Sequence, residues 1–133
     1  MEQIEINNDQ KQILVTNSCV DDSKFICGSL QRLYFEDINM SGTKITNANL
    51  SDLEIEGAQL GGAYIHNVGL PPEGHPFYDA NAKQKPLRFE DCNLSNSSIT
   101  NCNLSGVDIS DCNISGMKIN GISVESLLDA YKK

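Results

Sequence analysis

The chain has 133 residues, 39% of them hydrophobic before its ten glycines are counted, and eighteen acidic against ten basic residues give a formal charge of −8. This balance suits a single domain over 1–133 and works against nonspecific attraction to nucleic-acid phosphates or anionic membranes, while it admits a basic protein partner. No apolar run approaches the roughly 20 residues that cross a bilayer, and the start MEQIEINNDQ lacks the basic-then-apolar order of a signal peptide, so the expected compartment is the cytoplasm.

Residues 1–12 read as an N-terminal cap. The stretch IEINNDQKQILV alternates around an Asn7-Asn8-Asp9 turn signal and is expected to fold back as a short hairpin or strand over an open end. A first repeat array follows over 13–72. Its opening part, 13–32, is the less regular: Ile13/Val15, Ser18/Val20, Ser23/Phe25 and Gly28/Leu30 fit pairs separated by two, but Ile26 and Cys27 fall on turning positions. From Phe35 the count is uniform, with Met40, Ile45, Leu50, Ile55, Leu60, Ile65 and Leu70 each five residues on. Two residues before each stands a smaller or apolar partner, from Leu33 and Ile38 to Ala63 and Val68.

A period of five is neither the 3.6 of a helix nor the 2 of a strand, so the repeat is a coil in its own right. Residues two apart share a face of a short extended side. The next two positions, such as Glu36-Asp37, Ser41-Gly42 and Thr46-Asn47, must turn the chain, and their Gly, Asn and Asp tolerate left-handed backbone. Four sides would close a square coil, with successive coils stacked at about 4.8 Å.

The array breaks at GLPPEGHPFYDANAKQKP, residues 69–86, which holds all four prolines and one of the two histidines. Leu87/Phe89 follow Val68/Leu70 by nineteen residues, so the segment is either a distorted coil one residue short or a protrusion. Its prolines cannot donate between coils and favour a protruding loop over 73–86. His75, Phe77 and Tyr78 are its candidate recognition residues. His66, His75 and Asp79 are chemically able groups, but no phosphate loop, metal motif or nucleophile motif accompanies them. No catalytic, cofactor-binding or metal-binding residue is therefore assigned, no cofactor is expected, and the chain is read as not an enzyme.

The second array, 87–126, resumes the count at Phe89, Leu94, Ile99, Leu104, Ile109, Ile114, Ile119 and Val124. Cys92, Cys102 and Cys112 fill the smaller inward position at ten-residue intervals and read as packed thiols, with Cys92 and Cys112 on one side of the square and Cys102 opposite. Ser123 is a candidate N-cap for a helical cap over 124–133, with Val124, Leu127, Leu128 and Tyr131 able to share an apolar face. Leu127, Leu128 and Tyr131 either cover the end of the stack or meet a second copy in a homodimer.

ANLSD at 48–52, CNLSN at 92–96, CNLSG at 102–106 and CNISG at 112–116 resemble the units of the pentapeptide-repeat family, A(N/D)LSG. The likeness covers Leu33 to Pro72 and Leu87 to Ser126. It implies an all-β solenoid, a right-handed quadrilateral β-helix of about five coils, interrupted by one loop and followed by a short C-terminal helix. In such a stack Glu36, Asp37, Glu54 and Glu56 share one face and its corner, as do Glu90, Asp91, Asp108 and Asp111 in the second array.

The expected function is a noncatalytic scaffold or protein–protein interaction module for an unidentified partner, using an acidic face or the loop. Direct nucleic-acid binding is disfavoured. The resemblance adds two implications: family members often pair end to end, and some are DNA-mimicking regulators of a type II topoisomerase. About five coils give a rod of only about 24 Å, short for copying an extended duplex, so mimicry is the alternative reading.

Overall fold

The structure, a computed structural model, describes residues 2–133. It divides into two units, the first ending at Gly61 and the second spanning Gly62–Lys133.

Each unit is built on corners. In the first, left-handed backbone recurs at Asn17, Asp22, Cys27, Arg32, Asp37, Gly42, Asn47, Asp52 and Gly57. In the second it recurs at Gly62 and Asn67 and, beyond the loop, at Asp91, Asn96, Asn101, Gly106, Asp111 and Gly116. These are the second turning positions of the five-residue units. The stretch 13–32 keeps the same register as the rest, even though its corners carry Cys27 (φ 56°) and Arg32 (φ 60°), neither a residue type suited to positive φ.

The corners alternate between two kinds. At Met40–Thr43, Leu50–Leu53, Leu94–Ser97, Leu104–Val107 and Ile114–Met117 the last N–H donates to the first carbonyl at 2.9–3.2 Å. Positive φ at the third residue, as at Gly42 (77°) and Gly106 (75°), is the type II turn geometry. Each of these corners is prepared one residue earlier. The side-chain oxygens of Asn39, Asn49, Asn93, Asn103 and Asn113 accept from the backbone N–H of Ser41, Ser51, Ser95, Ser105 and Ser115 at 2.9–3.0 Å. The Asn-x-Ser string is thus an Asx-turn leading into a β-turn.

The intervening corners are open bends, and several are spanned by a side chain. Cys92, Cys102 and Cys112 donate S–H to the carbonyls of Glu90, Thr100 and Ser110 at 3.2, 3.4 and 3.1 Å. Ser18 does the same to Thr16 at 2.8 Å. The ten-residue interval of the cysteines therefore follows the alternation of corners.

Among the described residues no strand ladder joins one side to another outside the C-terminal hairpin, and no residue is fully buried. Ile45 and Leu50, inward in the square-coil reading, are 59% and 48% exposed. The three repeat cysteines, expected to be packed, are exposed free thiols. The physical division is by range: a corner is fixed by groups within four residues, whereas stacking needs partners a whole coil away.

The least exposed residues, Ile114, Met117, Ser123 and Val124, lie together near the C-terminus. There β1 (Lys118–Ile119) pairs antiparallel with β2 (Ile122–Ser123), Ile119 opposite Ile122. Asn120 (φ 50°) and Gly121 (φ 78°) form the two-residue turn, both left-handed as a type I′ hairpin requires. Helix α1 (Val124–Lys132) follows directly, and Ser123 Oγ accepts from Ser126 N–H at 3.3 Å as its N-cap. Glu125 stands in the first turn and Lys132 in the last, both favourable to the helix dipole.

Two bonds tie this segment back to the preceding corner. Val124 N–H donates to Met117 O at 3.0 Å, and Gly116 N–H donates to Glu125 Oε1 at 3.1 Å. At the other end, residues 2–12 form neither strand nor helix; Asn8 is left-handed (φ 52°), Asp9 accepts from Gln10 N–H at 2.8 Å, and Lys11 pairs with Asp9 at 3.1 Å.

Candidate functional site

The interrupting segment has a shape of its own. A Cβ placed on Gly69 would stand 3.9 Å from Gln84 Oε1, so the Gln84 side chain reaches back to the start of the segment. Three turns succeed one another inside it: His75 N–H donates to Pro72 O at 3.0 Å, Tyr78 N–H to His75 O at 3.0 Å, and Ala82 N–H to Asp79 O at 3.1 Å. Gly74, at φ 92°, permits the first of these turns. The segment is thus a run of tight turns with its own internal bonds.

His75 is part of this architecture. Its Nδ1 accepts from Phe77 N–H at 3.1 Å, which requires a neutral ring with the proton on Nε2, and its ring lies 5.7 Å from that of Phe77. Pro76 presets the next turn position, so His75-Pro76-Phe77-Tyr78 is a fixed turn that leaves Phe77 80% exposed. Asp79 closes a separate Asx-turn, accepting from Asn81 N–H at 2.9 Å. His66 stacks on Tyr64 with ring centres 4.0 Å apart, and its Nδ1 lies 3.2 Å from Asn67 Nδ2. Each chemically able group is thus engaged in a local turn or stack. Among the described residues no three His, Cys, Asp or Glu side chains gather as a metal site.

The eight candidate acidic residues are all exposed. Glu36, Asp37, Glu54 and Glu56 belong to the first unit, and Glu90, Asp91, Asp108 and Asp111 to the second. Asp37, Asp91 and Asp111 are themselves left-handed corner residues, with φ of 53–55°. They therefore shape the backbone as well as carrying charge.

The terminal trio separates. Leu128 turns back with Val124 onto Ile109, Ile114, Met117 and Ile119 around a groove of about 360 Å³. Leu127 is about half exposed and Tyr131 almost wholly so. Two determinants went unread in the sequence: the Glu125 bond to Gly116, and the hairpin at Asn120-Gly121. The first has no local signal, because its partners are nine residues apart. The second was visible as an Asn-Gly pair, but the count of five takes it for another corner.

No helix among the described residues is long and apolar enough to cross a membrane. No curated protein and no solved structure matches the chain. Residues 88–123 match the family model described as pentapeptide repeats, with eight copies. That span contains three of the Asn-x-Ser corners and all three corner-spanning cysteines, and on that match residues 88–123 are an array of pentapeptide repeats.

Proposed function

We infer that the chain is a noncatalytic scaffold of the cytoplasm, in which the corners wind the sides into a right-handed quadrilateral stack of about five coils and the loop recognises a protein partner. The carrying observation is the left-handed residue at corner after corner, kept in one register from Asn17 to Gly116 except across the loop. Repeated equivalent corners supply the curvature of a coil, and stacking would cover the apolar side chains that otherwise face water. Amide exchange tests it: stacked coils protect the N–H groups of the sides, whereas a chain ordered only at its corners leaves them exchanging at near-random-coil rates.

The loop supplies the individual surface. Three turns, one of them the fixed His-Pro-Phe-Tyr turn, would present Phe77 and Tyr78 to a partner at little ordering cost, which favours recognition. The acidic corners favour a basic partner, and they also support the alternative of a DNA-mimicking regulator of a type II topoisomerase. Affinity capture with the wild type, with Phe77→Ala/Tyr78→Ala and with Glu36, Glu54, Glu90 and Asp108 neutralised separates these readings. Loss of a partner with the first variant alone assigns the loop, and loss with the second alone assigns the acidic face. Inhibition of topoisomerase supercoiling that survives the loop variant supports mimicry.

A further inference from the structure

We propose that Cys92 and Cys112 are a redox-responsive pair that staples adjacent coils of the second array, with Cys102 excluded from it. The inference rests on the coil reading above and adds to it a modification site and the chemistry that acts there.

Three observations carry it. All three are free thiols, none of them already committed to another disulfide. All three occupy equivalent places: each follows a left-handed corner residue, Asp91, Asn101 or Asp111, with φ of 54°, 56° and 55°, and each donates to the carbonyl two residues back. The three side chains therefore leave the backbone in the same local direction. Finally, Cys92 and Cys112 are separated by four corners and Cys102 lies two corners from either.

In a square coil four corners return the chain to the same side, one layer on. Cys92 and Cys112 then become neighbours at about 4.8 Å, within the Cα separation of about 4.4–6.8 Å that a disulfide spans. Two corners lead instead to the opposite side, and Cys102 faces away from both. Among the described residues the sulfurs gather with no group of three or more metal-binding donors.

The chemistry needs a two-electron oxidant, and hydrogen peroxide serves. One thiolate attacks a peroxide oxygen, breaking the O–O bond to give a sulfenic acid and hydroxide, which takes up a proton to become water. The second thiolate attacks the sulfenic sulfur, forming the S–S bond and expelling the hydroxyl, which also leaves as water after protonation. Two thiols and one peroxide thus yield one disulfide and two waters, and a thiol reductant reverses the link.

The test uses full-length protein carrying Cys19→Ser and Cys27→Ser, treated with hydrogen peroxide and mapped by non-reducing peptide mass spectrometry, with amide exchange measured before and after. The expected product is Cys92–Cys112, formed equally well with Cys102→Ser and absent with Cys112→Ser. Exchange of the sides between them should slow on the order of a hundredfold, the effect of cross-linking a loop of this size.

An unwound chain gives the opposite pattern, because shorter loops close more readily: Cys92–Cys102 and Cys102–Cys112 would exceed Cys92–Cys112 about threefold. If the reduced protein is protected but links ten residues apart predominate, or no link forms, the staple is wrong and the coil stands. If the reduced protein shows no protection in its sides, the coil reading fails and the staple fails with it.

Discussion

The backbone at single corner residues decides how far the array can be trusted to repeat. Gly106 sits at φ 75°, and a Cβ there would meet nothing within 4 Å, so Gly106→Ala should lose only the left-handed penalty, about 1 kcal/mol. Urea unfolding followed by circular dichroism measures it; an unchanged midpoint would show that the corner does not need positive φ. Arg32 is the reverse case, a branched-headed side chain held at φ 60°. Relief of about 1–2 kcal/mol set against roughly 0.5–1 kcal/mol of extra chain entropy makes Arg32→Gly neutral to about 1.5 kcal/mol more stable in the same assay. These positions are legible in the sequence because Gly, Asn and Asp crowd them, and 13–32 is less legible because Ile26 and Cys27 stand where short polar residues are expected.

Elements here are small, and each is held by one or two identifiable bonds. Asn93→Ala removes the acceptor for both the backbone N–H and the hydroxyl of Ser95. Because the site is exposed, the cost should stay near 0.5–1.5 kcal/mol, with faster exchange confined to the Leu94–Ser97 corner. At the C-terminus, Ser123→Ala should cost about 1 kcal/mol through loss of the cap, read as reduced helicity and a lower melting point. The cap was legible from Ser123 and the apolar spacing behind it. The hairpin was not, because a corner needs one left-handed residue and Asn120-Gly121 supplies two, a difference that a count of apolar positions does not register. Nor could spacing tell that Leu128 faces the array while Tyr131 faces water; the bonds from Gly116 and Val124 set that rotation.

At the level of the whole molecule, a net charge of −8 spread over exposed carboxylates makes self-repulsion a term in stability. Raising salt from about 0.01 to 0.15 M shortens the screening length from about 30 to 8 Å, so the melting temperature should rise. Neutralising Glu36, Glu54, Glu90 and Asp108 should flatten that dependence; a salt response left intact would place the repulsion elsewhere. The five-residue period foretold the corners but not how sides meet, since contacts a coil apart depend on the summed geometry of four corners. The loop's internal turns were equally hidden, being set by particular residues such as Pro76 and Asp79 that no period selects. Its self-contained turns have a further consequence. The hydrogen bonds that make its three turns begin and end inside the segment, so those turns are set apart from the framework on either side. That makes the segment a natural port for guest sequences: a foreign peptide could replace the native turns there while the flanking corners kept their own bonds.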